Sequence, residues 1–108
     1  MIAVSQSEME IIHKIMKKHL PNCKVLAFGS RIKNTHYEAS DLDLAIVGNE
    51  KIDICTITSI KEDFMESDIP YSVDVLDYHR VSESFRGIID RRNVEIYFEY
   101  DTDKYVKS

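Results

Sequence analysis

The chain has 108 residues, 14 of them Lys or Arg and 19 Asp or Glu, giving a formal charge of −5. That length fits one domain, and a chain of this size buries roughly 65% of its unfolded surface, enough for a modest core without disulfides. The acidic balance argues against a free-standing nucleic-acid binder, which normally carries net positive charge, and no apolar run reaches the ~20 residues of a membrane helix.

At the N-terminus, Glu8, Glu10 and His13 interrupt the region where a signal peptide would be apolar, so no secretory leader is expected. Cys23 and Cys55 lie far apart and lack metal-ligand spacing. They are expected to be reduced thiols of a cytoplasmic protein.

The first helix is expected to start at Ser7, which has capping-box spacing to Glu10. Ile11, Ile12, Ile15, Met16 and Leu20 recur at helical period, and Pro21 ends the run. Residues 24–28, Lys-Val-Leu-Ala-Phe, suit a buried strand that Gly29 breaks. A polar loop is expected from Ile32 to Ser40. Residues 41–47 alternate, with Leu42, Leu44 and Ile46 on one face and Asp41, Asp43 and Ala45 on the other.

Ile54, Ile57, Ile60, Phe64 and Met65 mark a second helix, ending near Asp68, and Tyr71–Leu76 reads as a third strand after Pro70. Ser82 can cap a third helix carrying Phe85, Ile88 and Ile89. Val94, Ile96 and Phe98 alternate with Glu95 and Tyr97 in a last strand, before a polar tail over 99–108. The order suits an α+β domain over 1–98, a small sheet with helices packed on one face.

The strand at 41–47 carries an electrostatic problem. Asp41 and Asp43, two apart, leave the same face about 7 Å apart at the backbone. Like charges so close destabilise each other unless a cation sits between them. The opposite face must be core, so these carboxylates stand on a rigid element of the kind that holds a metal site in shape. Asp74, between Val73 and Val75, is a third candidate, while Asp77 falls on the other face. If the strands of Asp43 and Asp74 are neighbours, three carboxylates converge. Hard oxygen donors of this kind suit Mg²⁺, which completes its shell with water and phosphate. Two such ions can clamp the attacking and leaving oxygens of a nucleotidyl transfer.

Gly29-Ser30-Arg31 directly follows a strand. Glycine lets backbone N–H groups approach an anion closely, Ser30 adds a hydroxyl, and Arg31 a charged fork. Alone this is a turn; beside the acidic strand it reads as the phosphate half of a site.

Gly29-Ser30, ten residues, then Asp41-Leu42-Asp43 resembles the signature of the DNA polymerase β-like nucleotidyltransferase superfamily. The short form, Gly29–Arg31 followed by Ser40–Ile46, is similar to the minimal nucleotidyltransferases of bacteria and archaea. The later Val73–Asp77 segment fits that family's third carboxylate at Asp74. The resemblance implies a polymerase-β-like palm, a small mixed sheet backed by helices. It implies nucleotide binding at Gly29, Ser30, Arg31 and Ser40, with ATP as substrate. Asp41, Asp43 and Asp74 would be the catalytic residues and would hold Mg²⁺, two ions in all. Many members are antitoxins paired with a helical HEPN toxin, and some transfer AMP to a tyrosine of that toxin.

The length leaves no room for an appended acceptor domain, so the acceptor is expected to come to the site as a partner protein or small molecule. A HEPN-type toxin and a nucleoside triphosphate are the expected partners, with no direct nucleic-acid or membrane contact, in a homodimer or hetero-oligomer. Tyr97, Phe98, Tyr100 and Tyr105 could form a contact patch, and His36 could touch nucleotide. His13, His19 and His79 read as structural. Arg80, Arg86, Arg91 and Arg92 make the third helix basic in an acidic protein, which could draw phosphates or an acidic partner, with a solvated face as the default. Two other readings compete: a module that neutralises a toxin stoichiometrically without catalysis, and a small-molecule nucleotidyltransferase.

Overall fold

The computed structural model describes residues 2–33 and 40–96. Along these the chain forms α1 (Gln6–His19), β1 (Lys24–Phe28), α2 (Ser30–Lys33), β2 (Leu42–Val47), α3 (Ile54–Met65), β3 (Val73–Asp77), α4 (Glu83–Arg91) and β4 (Val94–Ile96). The strands make one mixed sheet in the order β3-β2-β1-β4. β1 is antiparallel to both β2 and β4, and β2 is parallel to β3, the two being joined through α3 as a parallel pair requires.

Alternation along the strands explains how the sheet is packed. Val25, Leu42, Leu44 and Ile46 are fully buried, as are Ile12 and Met16 of α1 and Ile60 of α3. α1 and α3 pack on each other, and α3 on β3. The opposite face is also covered: Leu26, Phe28 and Ala45 are buried, and Phe85 of α4 meets Phe28 edge to face at 5.9 Å between ring centroids. The helices therefore lie on both faces rather than one, because β1 and β2 are apolar on both.

Several boundaries differ from the expectation. The capping box of α1 sits two residues earlier: Glu8 N donates to Ser5 Oγ at 3.1 Å and Ser5 N donates to Glu8 Oε1 at 2.9 Å. Ser7 lies inside the helix. Ser5 wins because Glu8 is held twice, also accepting from Tyr71 Oη at 2.8 Å. The expected loop opens with a single helical turn, α2. Asp41 precedes β2 and is exposed. β3 begins two residues later than expected, at Val73. In α3, Ile54 and Met65 are exposed, so the buried stripe is Ile57, Ile60 and Phe64. Ser82 does cap α4, accepting from Phe85 N at 3.1 Å. His36, Tyr97, Phe98, Tyr100, Tyr105 and the 99–108 tail lie outside the described residues.

Candidate active site

Strand register assembles the site. Phe28 at the end of β1 is opposite Asp43 on β2, and Asp43 is opposite Asp74 on β3. In a parallel pair, partners in register point to the same face, so the two carboxylates stand side by side. Gly29 follows Phe28 with φ +87°, a conformation that L side chains rarely adopt. A Cβ at this position would overlap Asp43 Oδ2. Glycine is thus required twice: for the turn out of β1, and for the space the Asp43 carboxylate occupies.

The pairing has an electrostatic cost. Burial, then the charges of Asp74 and Asp41, push Asp43 up from the ordinary 3.8 to about 6, and a hydrogen bond with Asp74 adds to the effect. Among the described residues no three His, Cys, Asp or Glu side chains gather closely enough to hold a metal by themselves. Of the three expected carboxylates, Asp43 and Asp74 come together, while Asp41, ahead of the strand, acts on Asp43 through its charge. Mg²⁺ commonly uses one or two carboxylates and takes its remaining oxygens from water and phosphate. A mutually repelling carboxylate pair that opens onto a cleft fits such an ion.

A cleft of about 680 Å³ opens over this pair. Asp43, Asp74 and Gly29 line one part of it, Phe28, Leu76, Phe85 and Ile88 give an apolar wall, and Lys61, Arg91 and Arg92 add positive charge. The volume falls in the usual range for small-molecule sites.

Residues 10–102 match the polymerase β nucleotidyltransferase family. The chain belongs to that family. This nucleotidyltransferase is 42% identical over 93 residues to the "Probable protein adenylyltransferase MntA" of Haemophilus influenzae, covering 86% of the chain and 82% of that protein. Its fold is similar to a chain of a toxin–antitoxin complex crystallised with AMP-PNP, with a TM-score of 0.71, 18% identity, and coverage of 89% and 77% of the two chains. It is also similar to a chain of a complex between a tri-AMPylated Shewanella oneidensis HEPN toxin and an MNT antitoxin, with a TM-score of 0.66, 18% identity, and coverage of 92% and 76%. At these identities the structures speak to the fold.

One residue of the nucleotidyltransferase sits differently from its sequence reading. Arg31, expected as a fork for phosphate, is 5% exposed. Its Nε donates to the Ser40 carbonyl at 2.8 Å and its Nη1 to the Ala3 carbonyl at 2.6 Å. Its guanidinium lies 3.6 Å over the Tyr71 ring. Arg31 therefore fastens the Gly29-Ser30 turn to the chain entering β2, and the Ser40 group it uses is the backbone oxygen. Ser30 opens α2 directly after Gly29.

Asp77 is 4% exposed. It accepts from Ile52 N at 2.6 Å and His79 N at 2.9 Å and pairs with Arg80 at 3.3 Å. These bonds occupy its carboxylate in holding loops, which leaves Asp74 as the β3 carboxylate in the cleft.

Sequence reasoning missed Lys61 and the apolar wall, and set phosphate attraction by Arg91 and Arg92 below a solvated face. Helical spacing shows which residues share a face, but not which face meets a distant strand end. Both thiols, Cys23 and Cys55, are free, and among the described residues no helix is long and apolar enough to cross a membrane.

Proposed function

We propose that this nucleotidyltransferase moves AMP from ATP to a hydroxyl group of a partner protein, with Mg²⁺, and that the partner is a helical HEPN-type toxin which the transfer silences. The observation that carries this reading is the Asp43–Asp74 pair held in register beside Gly29 at the floor of a nucleotide-sized cleft. The kinship to a protein adenylyltransferase at 42% identity supports AMP as the transferred group, and likeness to toxin–antitoxin complexes supports the partner.

In this mechanism the acceptor oxygen attacks the α-phosphorus, one P–O bond forms, the bond to the bridging oxygen breaks, and pyrophosphate leaves. Asp43 and Asp74 would hold Mg²⁺, with Asp41 adding negative charge nearby. When bound, the ion supplies charge neutralisation on the phosphate oxygens and lowers the acceptor's proton affinity. Gly29 and Ser30 place backbone and hydroxyl donors at the end of β1, next to where the phosphates must lie. Asp74 is exposed on the edge strand β3, so it faces the side from which a protein acceptor can arrive and take up its position. Its carboxylate would receive the acceptor's proton.

The test is intact-mass spectrometry of a HEPN partner, co-expressed with this chain or its Asp43→Ala variant. The expected result is a mass gain of one or more AMP units, absent with the variant. An unmodified partner in a stable complex with either form would refute catalysis and favour stoichiometric neutralisation.

A further inference from the structure

α4 carries a side-chain arrangement that the fold does not require. Its buried residue is Ile89, which enters the core. Phe85, Ile88 and Arg91, three apart, form an adjacent stripe that Arg92, the residue capping the helix end, continues, and all four line the cleft over Asp43 and Asp74. Ile88 is 48% exposed, one of the few large apolar side chains left open among the described residues. Arg91 and Arg92 are exposed in a protein of net charge −5. Their side-chain hydrogen bonds are long: Arg91 Nε to the Gly87 carbonyl at 3.3 Å and Arg92 Nη2 to the Ile32 carbonyl at 3.4 Å. The second places the Arg92 guanidinium beside the turn that carries Gly29 and Ser30. Arg86, by contrast, turns away, donating to the Val81 carbonyl.

The stripe thus runs from apolar at Phe85 and Ile88 to cationic at Arg91 and Arg92, and Arg92 reaches the chain just after the glycine turn. A nucleoside triphosphate has the same polarity, a flat apolar base at one end and a polyanion at the other. Two carboxylates on the sheet wall cannot by themselves hold the polyanion; cations on the opposite wall can.

We propose that α4 is the nucleotide-recognition helix of this site: Arg91 and Arg92 hold the β- and γ-phosphates, and Ile88 with Phe85 carries the base. The assignment rests on the nucleotidyl-transfer reading and adds to it the residues that select and orient the triphosphate. Arginine suits this task, since its planar fork can engage two phosphate oxygens at once.

Isothermal titration with AMP-PNP and with inorganic tripolyphosphate, both with Mg²⁺, tests it. Arg91→Ala and Arg92→Ala should each weaken both ligands by ~10–100-fold, the effect of losing a charge-assisted hydrogen bond. Arg91→Lys and Arg92→Lys should recover part of the loss. Ile88→Ser should weaken AMP-PNP roughly threefold or more through lost apolar contact and leave tripolyphosphate unchanged. All three positions are at the surface, and thermal unfolding within 2–3 °C or so of wild type would show the five variants folded. Unchanged AMP-PNP affinity in both Arg→Ala variants would overturn the proposal while leaving the nucleotide reading intact. Equal losses of both ligands in Ile88→Ser would overturn the base assignment. Failure of the wild-type chain to bind AMP-PNP would overturn the nucleotide reading itself.

Discussion

Replacing Asp43 by Asn should make the metal-free protein more stable while abolishing transfer. In the folded state the Asp43 carboxyl sits at about 6 instead of 3.8. For an acid, a raised folded value means that the native state binds the proton more tightly than the unfolded chain does. Stability therefore falls as pH rises from about 4 to 6 and stays reduced above that window. A gap of about two pH units corresponds to ~3 kcal/mol at 1.36 kcal/mol each. The carboxylate is only half-buried, so screening by solvent cuts this to about 1–2 kcal/mol. Asn keeps the shape and the hydrogen bond to Asp74 but removes the charge. At pH 7.5 in EDTA, Asp43→Asn should raise the melting temperature by roughly 5–10 °C, the usual conversion for a domain of this size. At pH 4 the gain should vanish. Added Mg²⁺ should stabilise wild type and not the variant. Urea and thermal unfolding at both pH values measure all of this. A variant equal to or less stable than wild type at pH 7.5 would refute the argument that the pair stores repulsion.

Two further substitutions separate structural roles from chemical ones. Arg31→Lys keeps the charge but cannot span the Ser40 and Ala3 carbonyls while stacking on Tyr71, so it should cost about 2–3 kcal/mol in urea unfolding. An unchanged stability with a raised KM for ATP would instead return Arg31 to the phosphate. Asp77→Asn should destabilise by about 2–4 kcal/mol, since it removes a buried charge that Arg80 and two backbone N–H groups satisfy. The sign is opposite to that at Asp43, and guanidinium unfolding of the pair of variants side by side checks it.

How far the sequence discloses this molecule depends on the range of each signal. β1 matches its expected bounds because Lys24–Phe28 is apolar and Gly29 stops it, both local facts. The alternation of 42–47 likewise places Asp43 opposite the core face. The choice between Asp74 and Asp77 was legible in the same way, since an odd separation along a strand puts them on opposite faces. The capping residue of α1 was not, because Ser5 and Ser7 both have a Glu three residues later and only the contact of Glu8 with Tyr71, 63 positions away, separates them. The surroundings of Arg31 were not legible for the same reason: its partners lie on Ala3, Ser40 and Tyr71. The cleft wall on α4 depends on how a helix settles against a strand from another part of the chain. No periodicity within residues 83–91 reports that.

The register Phe28–Asp43–Asp74 has a consequence for how the molecule guards against error. A slip of one residue in β2 would drive Asp43 into the apolar layer against α1 and α3 and turn Leu42 or Leu44 out into the cleft. Such a chain would lose its core and its carboxylate pair together. Misfolded copies that retain partial function therefore have no structural basis. The strand pairing that buries Leu42 and Leu44 is therefore the same pairing that turns Asp43 toward Asp74, so core and acid pair are set by one register.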